Sequence, residues 1–230
     1  MWLLTILFPQ WCIGCKSYGS SICANCLKKV VYVKPLICIM CQKSTPHGLT
    51  HSLCLKKNPI YQTITIFQYK GIGKNIIKRF KYGLRHKDFI DALKQLDTSW
   101  QKELDFILYH TPNIVFQPIP LHKNKIKKRG FNQAITIATF LQSIYNLPII
   151  NQLVRIKNTS TQAQIKDKKH RRQNIKGAFA LRNNKHTIPK NIILIDDLYT
   201  SGATAIEAAH ELKKHGCDKV YLFTIAHGIY

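Results

Sequence analysis

A single stretch, residues 191–204 with the sequence NIILIDDLYTSGAT, restricts the fold of this chain more than any other. Residues 192–195 form a continuous apolar run, which is typical of a strand buried on both faces of a parallel sheet. Two aspartates follow, then a loop of small residues, and then apolar or small residues at helical spacing from Thr204 onward. The pattern predicts a strand, an acidic strand end, a loop and a helix, as in an α/β protein.

The order of these residues also predicts an anion site. Asp196 and Asp197 fall at the carboxyl end of the predicted strand, where open α/β sheets bind their ligands. A loop of Thr, Ser and Gly that opens into a helix offers free backbone N–H groups and a positive dipole end to a phosphate. Adjacent ionised carboxylates repel each other, so the pair favours a bound sugar hydroxyl or a phosphate-bound Mg²⁺ over an ordinary turn.

The charge of the chain points to a polyanionic partner. Its 230 residues contain 35 Lys and Arg against 11 Asp and Glu, which gives a formal net charge of +24. Residues 1–87 contain no carboxylate side chain, and Asp88 is the first. Such a balance attracts nucleic acid, anionic lipid or polyphosphate. A genome biased towards Lys, Ile and Asn codons explains many lysines, but it does not readily explain the missing acids.

Seven of the eight cysteines lie in the first 54 residues, mostly in pairs separated by two residues. Such pairs are typical of tetrahedral zinc sites, because a tight turn directs both thiolates at one metal. Disulfides fit less well, because no export signal is visible and the paired knuckles suit a reducing compartment. We predict two sequential structural Zn²⁺ sites, with an interleaved arrangement as the alternative. The ligands are Cys12, Cys15, Cys23 and Cys26 in the first site, and Cys38, Cys41, His51 and Cys54 in the second, where His47 competes with His51.

The amino-terminal residues 1–9 are apolar, but they are too few to span a bilayer and lack the charged region and cleavage site of a signal peptide. We expect this segment to pack against the cysteine module, with a shallow membrane anchor as the weaker alternative. The chain is expected in the cytoplasm, with at most weak association with a membrane surface.

Asn58 and Pro59 mark a predicted boundary between a cysteine module at 1–58 and an α/β domain at 59–230. Residues 63–69 predict a strand, and residues 72–81 a basic helix that ends at Gly83. With a second helix around 89–96, residues 59–105 are expected to form a helical hood beside a core sheet at 106–230. Lys81 is the lysine of this part that we expect at a ligand site rather than in solvent.

The first strand of the main sheet is expected at 114–116, and strands are expected at 178–181 and 219–225. A proline-stiffened turn, a basic cluster at 123–129 and Gly130 follow the first of them, before a helix with apolar spacing from Ala134 to Ile144. This arrangement predicts a second anion site at the same sheet edge. Its candidate residues are Pro120, Leu121, His122 and Arg129.

The stretch IDDLYTSGAT closely resembles the phosphoribosyl-pyrophosphate motif of type I phosphoribosyltransferases. The resemblance implies that the acids contact the ribose hydroxyls, that residues 200–204 wrap the 5′-phosphate, and that Mg²⁺ bridges the diphosphate. Thr200 stands where many purine-using members carry a third acid, which argues against purine salvage. The implied ligand residues are Asp196, Asp197, Leu198, Tyr199, Thr200, Ser201, Gly202, Ala203 and Thr204. Residues 155–176 are expected to be a mobile loop that closes over the diphosphate with Arg171.

Nearly the whole chain resembles the ComF family of competence proteins, through PIPLH, RGFNQA, IDDLYTSGAT, the cysteine module, Thr161-Gln162 and residues 171–179. Two departures are His51-x2-Cys54 in place of a fourth Cys-x2-Cys, and Lys125 and Lys127 where arginines are common. The resemblance implies a role in natural transformation, in which single-stranded DNA is handled on the cytoplasmic side, beside other competence or DNA-processing proteins.

The predicted fold is thus a type I phosphoribosyltransferase-like parallel sheet with flanking helices, preceded by a small zinc-ribbon-like module. Two functions remain open. The chain either binds phosphoribosyl pyrophosphate and handles single-stranded DNA, or it is an active phosphoribosyltransferase with an unidentified acceptor and no direct role on DNA. The diphosphate-binding residues suit both, and the sequence shows no group that would recognise a nucleobase acceptor.

Overall fold

The computed structural model describes residues 10–82, 86–159, 168–182 and 187–228. The apolar segment 1–9, Gly83 and the pair Thr161-Gln162 lie outside these ranges. Within them, no helix combines the length and the apolar character needed to cross a bilayer.

The main sheet has four strands, and every neighbouring pair in it is parallel. In chain order the strands are β1 (Ile60–Gln68), β2 (Ile114–Pro118), β3 (Leu153–Arg155), β4 (Phe179–Leu181), β5 (Asn191–Tyr199) and β6 (Lys219–His227). The sheet order is β1-β6-β5-β2, and β3 and β4 form a separate antiparallel pair. Because parallel strands end at the same edge, the carboxyl ends of these four strands lie together.

Helices cover both faces of this sheet. They are α1 (Ala24–Lys28), α2 (Ser52–Leu55), α3 (Gly71–Tyr82), α4 (His86–Gln95), α5 (Trp100–His110), α6 (Lys123–Arg129), α7 (Gln133–Tyr145), α8 (Lys168–Ile175) and α9 (Ala203–Lys214), with a 3₁₀ turn at Pro46–Gly48. The apolar run of β5 shows the layering directly. Ile193 and Ile195 pack in one buried cluster, which includes residues of α3, α4, α5 and α7, whereas Ile192 and Leu194 pack in a second with α8 and α9. The predicted α/β class is confirmed.

The prediction that the main sheet begins at 114–116 is wrong, because β1 pairs with β6 along most of its length. Residues 59–105 therefore do not form a hood apart from the sheet, since their strand is one of its edges. The threonines of β1 made its burial hard to recognise from sequence. Thr65 is buried and its hydroxyl lies 2.8 Å from that of Thr224 on β6, so the pair removes the cost of burying either hydroxyl alone.

The expected loop at 155–176 is also wrong in its second half, because α8 occupies Lys168–Ile175. Residues 160–167 lie outside the described ranges. The strand predicted at 178–181 is present as β4, but it pairs with β3 rather than joining the main sheet.

Candidate metal centres and phosphate site

The eight predicted zinc ligands lie in two groups, Cys12, Cys15, Cys23 and Cys26, and Cys38, Cys41, His51 and Cys54. In each group the ligand atoms lie within 4.8 Å of one another. The Sγ atoms of Cys15 and Cys23 are 3.7 Å apart, and Cys41 Sγ is 3.3 Å from His51 Nδ1. Tetrahedral zinc with bonds of about 2.0–2.3 Å separates its ligands by roughly 3.3–3.8 Å, so both groups fit the metal. The sites are sequential, not interleaved.

Local backbone geometry explains why these pairs converge. Lys16 N donates to Cys12 O and Gln42 N donates to Cys38 O, each at 2.9 Å, so both knuckles are tight turns. Each turn ends in the left-handed region, with φ of 72° at Lys16 and 60° at Gln42, which non-glycine residues adopt at some cost.

His47 is not the competing ligand that its position suggested. Its Nδ1 lies 2.8 Å from Glu103 Oε2, and its ring stacks on Phe106 with the centroids 4.0 Å apart. These contacts hold the ring outside the second cluster and leave His51 as the histidine ligand.

We expect Cys12→Ser to lower the zinc content from about two ions per chain to about one and to destabilise the first knuckle, because structural zinc supplies folding free energy. Native mass spectrometry and circular dichroism would measure both effects. Cys217→Ser is the matched control, since Cys217 is buried between Lys190 and Lys219 and belongs to neither cluster. Zinc-free protein with a fully folded cysteine module would contradict the prediction.

A pocket of about 160 Å³ opens at the carboxyl edge of the sheet. All nine residues from Asp196 to Thr204 line it, together with Lys81 from α3 and with Leu121 and Arg129 from around α6. The two stretches that the sequence assigned to anion binding therefore meet at one site. Pro120 and His122 are not among its lining residues, and His122 is instead buried as the cap of α6, where its Nδ1 accepts from Asn124 N at 3.3 Å.

The two acids lie within β5 rather than after it, because pairing with β6 continues to Tyr199. Lys81 Nζ is 2.8 Å from Asp197 Oδ2, but this oxygen has no well-directed hydrogen bond. Asp196 Oδ1 accepts from the backbone N–H of Asp197 at 2.9 Å. Burial and the neighbouring Asp197 carboxylate raise the pKa of Asp196 to about 7. Each carboxylate oxygen has two lone pairs, so both acids can accept a hydrogen bond from a sugar hydroxyl or bind Mg²⁺ in addition to these contacts.

Cations outnumber the acids in this pocket. Lys81, Lys125, Arg129 and Arg155 line it against Asp196 and Asp197, which leaves two positive charges in excess when all six are ionised. Burial, followed by the charges of Arg155, Arg129 and Lys81, lowers the pKa of Lys125 to about 8. Burial also lowers the pKa of Arg155. Cations whose ionisation is disfavoured by burial and by one another are stabilised by a multiply charged anion.

The loop between β5 and α9, residues 200–202, has the backbone that its sequence predicts. Gly202 has φ of 72° and precedes α9, and the Ser201 hydroxyl accepts from Ala203 N at 3.4 Å. The first turn of the 12-residue helix therefore has backbone N–H groups available at the pocket wall.

The sequence did not identify five of the residues that line the pocket, namely Tyr69, Ile119, Lys125, Arg155 and Ala205. Lys125 had a usable signal, since it lies four positions before Arg129 and a helix puts such residues on one face. Arg155 had none, because its position depends on the pairing of β3 with β4. Arg171 lies in α8, but its side chain is outside the described part of the chain.

The fold and these sites define a class of protein, in which an amino-terminal module with two zinc-ligand clusters precedes a parallel α/β domain with an acidic pair and a glycine-containing loop at one sheet edge. A family model described as a double zinc ribbon domain matches residues 3–55.

Relatives that match most of the chain identify the family within this class. Competence protein ComFC of Bacillus subtilis is 30% identical, with 85% of this chain and 79% of the relative covered. Competence protein F of Haemophilus influenzae is 28% identical, with 94% and 96% covered. DNA utilization protein YhgH of Escherichia coli K12 is 26% identical, with 89% of each covered. The chain belongs to the ComF family of competence proteins.

Proposed function

We propose that this chain binds phosphoribosyl pyrophosphate with Mg²⁺ and handles single-stranded DNA during DNA uptake. The observation that carries the first part is the pocket itself, where paired acids, a helix-capping phosphate loop and four cations meet. The names of the relatives, competence protein and DNA utilization protein, support the second part.

The chemistry of each pocket wall matches one part of the proposed ligand. Backbone N–H groups at Gly202 and the start of α9 suit a 5′-phosphate. Asp196 and Asp197 suit the two ribose hydroxyls, which donate hydrogen bonds to carboxylates. Lys81, Lys125, Arg129 and Arg155 suit a diphosphate, which Mg²⁺ would accompany through its phosphate oxygens.

Exposed aromatic residues beside cations support the DNA part. Trp11 and Tyr18 flank the first zinc knuckle, are 54% and 61% exposed, and lie in edge-to-face contact with their centroids 5.7 Å apart. Lys16 lies between them in sequence and is exposed. Rings of this kind stack on bases while neighbouring lysines contact the backbone, which is how single strands are bound without sequence preference.

Isothermal titration calorimetry of the whole protein with phosphoribosyl pyrophosphate tests the ligand. We expect one site per chain, with tighter binding in the presence of Mg²⁺ than in EDTA and a melting temperature that rises with ligand concentration. Ribose 5-phosphate alone should bind more weakly, because it lacks the diphosphate that the four cations contact. Equal affinity for both ligands, or no binding, would contradict the proposal.

Phosphoribosyl transfer is a second candidate. One observation favours it, namely that an aromatic residue, Tyr69, is among those that line the same pocket, since an aromatic ring can stack on a planar acceptor. In such a transfer the bond from ribose C1 to pyrophosphate breaks, a bond from C1 to the acceptor forms, and pyrophosphate leaves. A screen for pyrophosphate release across acceptors separates the candidates, since a binding protein releases none.

A further inference from the structure

The turn between the zinc ligands Cys38 and Cys41, here called the second knuckle, packs directly against the loop at residues 200–202. We propose that Ile39, which lies between the zinc ligands Cys38 and Cys41, is a positioning residue that holds the loop around Gly202 in its anion-binding conformation. The zinc site would thereby stabilise the neighbouring pocket as well as its own module. The expected effect on ligand affinity rests on the proposed function, whereas the expected effect on the conformation of the loop does not.

The contact is close and apolar. Ile39 is 2% exposed and belongs to the same buried cluster as Tyr199 and Ala203, which flank the loop. A methyl group placed on Gly202 would come within 3.3 Å of both Cγ1 and Cδ1 of Ile39 and within 3.4 Å of Ile206. Gly202 is therefore packed between the knuckle and α9, and this packing leaves its backbone little room to move.

The knuckle is a suitable support because its own geometry is restrained. Cys38 N donates to Lys43 O, and Gln42 N donates to Cys38 O, each at 2.9 Å. Cys38 and Cys41 also lie in the second ligand cluster, so a bound zinc ion would restrain the turn on both sides of Ile39. A side chain anchored in this way transmits the rigidity of the metal site to whatever it packs against.

The loop gains from such support because its last residue is a glycine. Gly202 adopts φ of 72°, and glycine has the widest range of backbone conformations in the absence of packing. Backbone N–H groups bind a phosphate best when they already point at it, since ordering them on binding costs conformational entropy. Ile39 itself is not among the residues that line the pocket, so it acts through the loop and not on the ligand.

Hydrogen exchange of the ligand-free protein tests the inference first. Ile39→Ala should speed exchange of the Ile206 amide, which donates to Gly202 O at 2.8 Å, by about tenfold, because the loop loses its apolar support. Zinc content should stay at the parent value, since all four ligands of the site remain. Ile39→Leu keeps an apolar side chain of the same size and should restore most of the protection. Leu53→Ala is the matched control, because Leu53 is in the same module, beside His51 and Cys54, but is 75% exposed.

Affinity for phosphoribosyl pyrophosphate with Mg²⁺ is the second readout. We expect Ile39→Ala to weaken it by about tenfold while Leu53→Ala leaves it unchanged. Unchanged exchange of the Ile206 amide in Ile39→Ala would overturn the inference, even if the parent binds the ligand. Faster exchange in Ile39→Ala, together with a parent that binds no ligand, would support the role of Ile39 in the loop and overturn the proposed function alone.

Discussion

Replacing both pocket acids, Asp196→Asn with Asp197→Asn, should abolish measurable binding of phosphoribosyl pyrophosphate, a loss of about 100-fold or more. Asparagine keeps the size of each side chain but removes the charged acceptor for a ribose hydroxyl. A hydrogen bond to a charged group contributes roughly 1.5–3 kcal/mol, and two of them are lost. Isothermal titration calorimetry at pH 8 would measure the change.

The control for this prediction removes the same charge elsewhere. Asp91→Asn with Asp218→Asn changes two acids that do not line the pocket and should leave the affinity at the parent value. If the Asp196 and Asp197 double variant binds as tightly as the parent, the ligand site lies elsewhere on the chain.

The same double variant should stay folded, and the direction of the Asp196 pKa explains why. An aspartate in an unfolded chain titrates near pH 4, whereas Asp196 titrates near 7 in the folded protein. Ionising it therefore costs stability as the pH rises from about 4 to 7, and that cost is fully present at pH 8. Asparagine removes the cost, while Lys81 loses its ion pair with Asp197. These effects oppose each other, so the melting temperature without ligand should change by only a few degrees.

The pocket residues that are adjacent in the sequence were easier to predict than those that distant parts of the chain contribute. Asp196, Asp197 and the loop to Thr204 occur in one run, so local pattern alone placed them at one sheet edge, and all of them line the pocket. Lys81 was also predicted, and it meets Asp197 from a helix more than 100 residues earlier in the chain. Arg155 was not predicted, because no local pattern shows that β3 pairs with β4 and brings its end to this pocket.

The zinc ligands illustrate the same limit. The Cys-x2-Cys spacing is local and was sufficient to identify both sites. It did not by itself exclude His47 as a competitor of His51. That choice is made by Glu103 and Phe106 on α5, which hold His47 away from the cluster. Likewise, β1 was recognised as a strand from its own residues, whereas its place in the main sheet depends on pairing with β6 at the far end of the chain.

Single-stranded DNA binding should weaken steeply as the salt concentration rises. The surface around the first zinc cluster should account for much of this salt dependence. Lys16, Lys28 and Lys29 are exposed there, and residues 1–87 contain no acid to oppose them. Each phosphate contact contributes about 0.7 to the slope of log affinity against log salt for single strands. Changing these three lysines to Gln should therefore reduce the slope by about 2, as measured by fluorescence anisotropy with a labelled oligonucleotide.

The stacking contribution is separable from the charge contribution. Trp11→Ala with Tyr18→Ala should weaken binding by about tenfold or more with little change in the salt slope, because stacking releases no counterions. Two controls match these variants. Tyr109→Ala removes a ring that is 86% exposed on α5, and Lys94, Lys102 and Lys214 changed to Gln remove three exposed charges outside the module. Tyr109→Ala should weaken binding less than the Trp11 and Tyr18 double variant does. The control with three lysines changed should lower the salt slope less than the change of Lys16, Lys28 and Lys29 does.

The pocket and the DNA surface should also respond independently. Asp196→Asn with Asp197→Asn removes negative charge, so it cannot weaken a polyanion site and should leave DNA binding intact while ligand binding is lost. An affinity that barely changes with salt, or that disappears with the acids but survives loss of the knuckle lysines, would indicate that the basic charge reflects codon usage. In that case the pocket would be the functional centre of the chain, and an active phosphoribosyltransferase would describe the protein better than a DNA-binding protein does.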